Sequence, residues 1–233
     1  MKNQFATLPL DSGTAGLVAV IGPNANLSRS NAGYYGPMNV CGSKFWTLVD
    51  AVANGGEVET VSVLGVPDPQ SEDRSGISEA AQVARGADTV VLAIGTDLNS
   101  AKEGHDANSI SLTEAQEVLI EQVADVAKKP VIVVVMTATP LDLSNVLANP
   151  KVGAVLHLGQ PSVTVLGVSE LLYGEISPAG RMIQTVYESS YQNQISIFDF
   201  NMRFSEGPRG SSDHHGHELQ PHPVEVDGPT NRT

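Results

Sequence analysis

Cysteine is almost absent from this chain of 233 residues: Cys41 stands alone, so no intrachain disulfide and no cysteine metal cluster can form. A single cysteine reads as a small core residue rather than a nucleophile. Basic charge is also scarce, with 13 Lys and Arg against 26 Asp and Glu and a formal net charge of −13. That balance argues against nucleic acid or an anionic membrane surface as the main partner. No apolar run approaches the roughly eighteen residues that a spanning helix needs, so no membrane segment is expected. The opening MKNQFATLPLDSG lacks both the apolar core and the small-residue cleavage site of a signal peptide; the chain as it stands is expected to stay in the cytoplasm.

Several chemical signatures are missing too. Strands running into glycine occur at Gly22 and Gly95, yet neither continues as GxGxxG, and no GxxxxGK[ST] follows anywhere, so a phosphate cradle is poorly supported. GxSxG, the serine hydrolase elbow, is absent. The tail histidines His214, His215, His217 and His222 lie in a polar stretch that offers no fixed geometry, while His157 reads as a strand residue with one polar contact. No metal and no cofactor is expected. Sequons at Asn26 and Asn231 carry meaning only in a secreted chain.

What is present is an alternation of short apolar runs and amphipathic stretches. Residues 17–22, 57–65, 89–94, 131–135 and 154–158 read as buried strands, the β-branched run from Val131 to Val135 as a central one. A short helix is expected through Phe45, Trp46, Leu48 and Val49, others over 77–84 (Ser75 or Ser78 capping), 141–147 and 163–173. The clearest helix opens at Thr113, whose spacing to Gln116 is that of a capping box, and its apolar stripe includes Ala115, Leu119 and Val123. These features predict an α/β fold with a mostly parallel sheet and helices on both faces. Residues 1–15 read as a linker remnant and 16–203 as the folded domain. Residues 204–233, polar and rich in Pro and Gly, are expected to be a disordered tail.

The chemically suggestive stretch is DTVVLAIGTDLNSAKEGHDANSISL, residues 88–112, a buried strand leaving through Gly95 into an acidic loop. Glu103 and Asp106 would then lie at the carboxyl end of the strand, where open α/β sheets bind ligands. A merely solvated acidic loop is the competing reading. Glycosidic cleavage usually needs two carboxylates flanking the bond. Glu103 can serve as one and Asp106 and His105 can contact sugar hydroxyls, but no second catalytic carboxylate on an opposing wall stands out in the sequence.

The series LPLDSGTAGLVAVIGPNAN, GYYGP, ADTVVLAIGTDLNSAKEGHDANSISLTEAQEVLI, GEISPAGR and DFNMR, in this order between Leu8 and Arg203, resembles the carboxyl-terminal α/β sandwich domain of glycoside hydrolase family 3. Within that family it is most similar to the β-xylosidases, whose third stretch runs close to EAEGxDRxxLxLPxxQ. The resemblance implies an exo-acting, retaining enzyme in which an amino-terminal barrel carries the aspartate nucleophile. The sandwich domain then supplies the acid/base glutamate from the loop matching residues 100–107. It implies Glu103 as acid/base if that role falls on the second of the family's two glutamates, whereas if it falls on the first, this loop has lost it at Ala101. It further implies Asp106 and His105 as sugar contacts, carbohydrate (a β-xyloside or related oligosaccharide) as ligand, and a family 3 barrel, in trans or encoded upstream, as partner. The family is mostly secreted, which leaves the localisation of this chain open.

The loop departs from the pattern at Ala101, where the first of two glutamates is usual, and at Ala107, where an arginine is usual. GQPSVTVLG keeps Gly159 and Gly167 but not the interior glycines, and Met182 and Ile183 replace a Leu-Pro. Without the barrel, the chain is expected to be inactive alone. A non-catalytic sugar-binding or structural module is the alternative, and a nucleotide-binding domain is third. Tyr34, Tyr35 and Trp46 are candidates for an apolar patch facing the barrel, or for core positions.

Overall fold

The computed structural model describes residues 2–28, 45–56, 58–182 and 185–193. Among them the chain forms strands β1 (Lys2–Asn3), β2 (Val18–Ile21), β3 (Thr60–Val63), β4 (Thr89–Gly95), β5 (Val131–Met136) and β6 (Val152–Gly159). Between them lie helices α1 (Leu48–Gly56), α2 (Ile77–Gly86), α3 (Glu114–Val126), α4 (Ser144–Ala148) and α5 (Val168–Leu172), the last preceded by a 3-10 segment, Ser162–Gly167. The expectations for Cys41, Tyr34, Tyr35, Asn231, the tail histidines and the 204–233 tail fall outside the described residues.

The strands form one sheet in the order β1-β6-β5-β4-β2-β3, parallel throughout except for β1, which runs antiparallel to β6. This is the mostly parallel α/β sheet that the alternating pattern predicts. Every residue of β4 and of β5 is buried, because helices cover both faces and each strand must present apolar side chains up and down. On one face Leu92, Ile94, Val133 and Val135 pack with Ala80 and Leu119 of α2 and α3. On the other, Val91, Ala93, Val134 and Met136 pack with Leu48, Val52 and Leu172 of α1 and α5. Trp46 joins this second core, half-buried, which places it in packing rather than in an exposed patch. The exposed large apolar side chains among the described residues are Phe5 and Ile176.

Local chemistry explains where the elements differ from expectation. Helix α1 begins at Leu48 because Thr47 and Asp50 cap each other: Asp50 N–H donates to Thr47 Oγ1 (3.1 Å) and Thr47 N–H to Asp50 Oδ2 (2.8 Å). Neither Ser75 nor Ser78 caps α2; Gly76 holds the N-cap position with no side-chain cap, and Ser75 N–H donates instead to Asp73 Oδ1 (2.8 Å). The helix expected over 163–173 is split into the 3-10 segment and α5. The expected strand around 57–65 is confined to Thr60–Val63.

Strand β1 had no signal in the sequence, since two residues show no periodicity. It is followed by a turn at Gln4–Thr7 in which Phe5 (φ 58°) and Ala6 (φ 50°) both adopt left-handed backbone, closed by Thr7 N–H donating to Gln4 C=O (3.1 Å). Two consecutive positive φ values define a turn that favours Asn-Gly, and a side chain other than Asn or Asp costs about 1 kcal/mol at each position there. The double substitution Phe5→Asn with Ala6→Gly is therefore expected to stabilise the fold. The gain should be roughly 1 kcal/mol after the extra unfolded-state entropy of glycine is counted, visible as a higher urea midpoint at unchanged m.

Candidate functional site

The chain passes from β2 to β3 on one side and then to β4 on the other, so the topological switch point lies between β2 and β4, where open sheets leave a crevice at the carboxyl ends. Both strands leave it through glycine: Gly22 (φ 129°) and Gly95 (φ 139°). Asn24, fully buried, fills the crevice, its Nδ2 donating to Thr96 C=O (3.1 Å) while its own N–H donates to Ala93 C=O (3.2 Å). Gln160 Nε2 approaches the same Thr96 carbonyl (3.3 Å). Asn24 Oδ1 and Gln160 Oε1 are buried acceptors without a partner among the described residues. Thr96 Oγ1 and Thr137 Oγ1 lie 2.8 Å apart and tie the ends of β4 and β5.

The acidic loop grows out of this edge on a rigid base. Gln116, buried in the first turn of α3, grips Gly95 by both backbone groups: Gly95 N–H donates to Oε1 (3.0 Å) and Nε2 donates to Gly95 C=O (3.0 Å). The same Nε2 donates to Pro69 C=O (2.8 Å), pinning the 66–76 connection against the strand exit. Asp97, also buried, accepts from Asn99 N–H (2.8 Å) and Ser100 N–H (3.3 Å) through Oδ1, and Gln70 Nε2 donates to Ser100 Oγ (2.7 Å). On the far side, Asp142 N–H donates to Ile110 C=O (2.6 Å). Thr113 Oγ1 accepts from Gln116 N–H (3.3 Å), and the Glu72 carboxylate accepts from Glu114 N–H (3.2 Å) and Ala115 N–H (2.9 Å). These acceptors satisfy the amino-terminal donors of α3.

Between the two anchors the chain projects a tight hairpin. Lys102 and His105 exchange backbone hydrogen bonds of 2.9 Å in both directions, and Gly104 (φ 75°) supplies the positive φ that a type II turn needs at its third position. Glu103 occupies the second position, at the tip. Glu103, His105 and Asp106 are all exposed, and among the described residues their side chains make no hydrogen bond or ion pair. Glu103 and His105 thus lie on one exposed turn beyond the end of β4, and Asp106 follows it directly. Asn24, Gln70, Asp97 and Gln116, which hold that turn's base, were not singled out as site residues by sequence reasoning. The one signal pointing toward them was Gln116 at its capping-box spacing.

What the arrangement offers chemically is one carboxyl group on a well-supported turn, with an imidazole and a second carboxyl group next to it in the chain. A carboxyl at such a tip can deliver a proton to an oxygen brought against it, and its neighbours can hydrogen-bond hydroxyls. No helix among the described residues is long and apolar enough to cross a membrane, and no cluster of three or more His, Cys, Asp or Glu there could hold a metal ion.

Two titrating groups beside the site make stability depend on pH. Burial pushes the His157 imidazole below its ordinary value; its Nδ1 accepts from Gly159 N–H (3.4 Å). Burial alone would raise the Asp142 carboxyl, but donation from Ser144 Oγ (2.6 Å), Ser144 N–H (2.9 Å) and Ser189 N–H (2.6 Å) outweighs it and the net direction is downward. Both folded values lie below the unfolded ones, so in each window the unfolded chain binds the extra proton and stability rises with pH. Stability should hold above about pH 6.5, decline below it through His157, and decline again below about pH 3.9 through Asp142. Urea titrations across pH should show the first decline removed by His157→Gln and the second reduced by Asp142→Asn, the remainder coming from Asp73 and Asp88, whose carboxyls are also held low by hydrogen bonds.

A six-stranded α/β sheet with a carboxylate-bearing turn beyond its switch point defines a class, and sequence comparison agrees: the model of the glycosyl hydrolase family 3 C-terminal domain matches residues 1–218, and the chain belongs to that family. Its relatives are β-xylosidases. It is 34% identical over 212 residues to probable beta-D-xylosidase 7 of Arabidopsis thaliana, covering 90% of this chain and 27% of that protein. It is 38% identical over 205 residues to a probable exo-1,4-beta-xylosidase of Aspergillus oryzae, covering 87% and 24%. Among solved structures, an exo-β-xylosidase of family 3, in complex with a xylobiose aziridine activity-based probe, superposes with a TM-score of 0.78 at 28% identity over 87% of this chain and 26% of that one. The chain thus spans about a quarter of the length of the relatives it matches.

Proposed function

We propose that this chain supplies the proton-donating wall of a retaining exo-glycosidase that releases terminal β-linked xylose in the breakdown of xylan-type polysaccharide. Glu103 is the acid/base: it protonates the leaving glycosidic oxygen and then deprotonates the water that releases the sugar. His105 and Asp106 hydrogen-bond sugar hydroxyls. The nucleophilic carboxylate comes from a family 3 barrel, placed across the bond at the roughly 5 Å separation that retaining chemistry requires. The observation that carries this reading is Glu103 at the exposed tip of a turn whose base is fixed by Gln116 and Asp97. Its position matches the second glutamate of the xylosidase loop.

A non-catalytic sugar-binding module is the second reading, favoured by Ala101 and Ala107 where that loop usually carries glutamate and arginine. The discriminating experiment follows release of an aryl β-xyloside by the purified chain, alone and mixed with the barrel domain of a related enzyme. No turnover is expected alone, because a single carboxylate cannot both attack and protonate. Turnover is expected in the mixture. Hydrolysis by the isolated chain, lost in Glu103→Gln, contradicts the two-wall reading, and sugar binding without turnover in the mixture favours the module.

A further inference from the structure

The sheet ends on β3, whose outer side pairs with no strand among the described residues. Its sequence is Thr-Val-Ser-Val, β-branched at Thr60, Val61 and Val63, with no charge and no proline. Such an edge is a template for pairing with another chain, and proteins usually blunt it with Lys, Pro, a bulge or a cover. None of the first three is present in β3. Immediately beside it lies Asn26, the first residue of the sequon Asn26-Leu27-Ser28. Asn26 is exposed, sits in the turn that follows β2, and its Nδ2 donates to Ser62 Oγ on β3 (3.2 Å).

We propose that Asn26 is an N-glycosylation site and that its glycan is the cover for the β3 edge. The donor class is a lipid-linked oligosaccharide diphosphate. Nδ2 attacks the anomeric carbon, a C–N bond forms as the C–O bond to the diphosphate breaks, Nδ2 gives up one proton, and the lipid diphosphate leaves. No electron transfer is involved. The modified amide keeps one N–H, enough to retain the Ser62 hydrogen bond and hold the first sugar against the strand. The acidic turn leaves from β4, on the opposite side of β2, so the proposal stands whether or not Glu103 is catalytic.

The test expresses the full chain in yeast behind a secretory leader, in an Asn231→Gln background so that one sequon remains, and maps glycopeptides by mass spectrometry. A glycan on the peptide containing Asn26, absent from Asn26→Gln and Ser28→Ala, is expected. Light scattering of the Ser28→Ala chain, and of the wild-type chain after endoglycosidase treatment, should rise about two-fold faster or more than that of the glycosylated chain, and Thr60→Lys should reverse the increase by charging the edge. An unmodified Asn26 in the chain recovered from the secretory pathway overturns the site. Equal association of glycosylated and Ser28→Ala chains overturns the covering role.

Discussion

Gly95→Ala is expected to cost about 4 kcal/mol or more, enough to leave much of the chain unfolded when total stability is typically some 5–15 kcal/mol. A Cβ on Gly95 would stand 1.9 Å from the Met136 carbonyl oxygen and 2.7 Å from its carbon, atoms of the neighbouring strand that cannot swing aside. The φ of 139° adds backbone strain of roughly 1–3 kcal/mol for any residue with a side chain. Relief would require β4 and β5 to separate at the point where Gln116 clamps both backbone groups of Gly95, so the clamp would be lost as well. Gly104→Ala is the control. It also has positive φ, at 75°, but its Cβ would meet nothing within 4 Å, so only about 1 kcal/mol is expected. Urea unfolding of the two variants should differ by several-fold in free-energy loss; equal losses would mean that the close packing of the strand exits contributes nothing.

This contrast shows what could and could not be read from the chain before folding. VVLAIG and VIVVV were legible as buried parallel strands because burial on both faces demands an unbroken apolar run, whatever the strand's neighbours are. The start of α3 was legible because Thr113 and Gln116 act across three residues. Strand β1 was invisible since its turn uses Phe5-Ala6 where Asn-Gly would have announced it. The same split runs through the site. Glu103 is a candidate named from its motif, a local string. The groups that hold its turn act across long separations: Asn24 reaches 72 residues to Thr96, Gln116 reaches 47 residues to Pro69, and Gln70 reaches 30 to Ser100. A lone polar side chain that reaches across the fold has no periodicity and no composition signature, so nothing short of the fold reveals it. Glu72 is the same case, an acidic residue in a polar connection that turns out to accept from two amides at the start of α3, 42 and 43 residues on.

The second large effect concerns chemistry. On the role proposed for Glu103, Glu103→Gln in a mixture with a family 3 barrel is expected to lower kcat/KM on xylobiose by about 10²–10⁴-fold, the usual contribution of a positioned general acid. The amide is nearly isosteric and the Glu103 side chain makes no hydrogen bond or ion pair among the described residues, so the fold should be unaffected and the unfolding midpoint unchanged. The loss should depend on the leaving group. A dinitrophenyl xyloside departs without protonation, so its kcat/KM, which reports formation of the glycosyl-enzyme, should fall little. Its kcat should still fall, because release of the sugar needs Glu103 as base, and added azide, a nucleophile needing no deprotonation, should restore it with xylosyl azide as product. His105→Gln and Asp106→Asn should behave differently, raising KM through lost sugar hydrogen bonds worth roughly 1–2 kcal/mol each while leaving the leaving-group dependence intact. Equal losses on xylobiose and on the dinitrophenyl xyloside would remove the acid/base role from Glu103, since a group that only binds the sugar does not distinguish the two leaving groups.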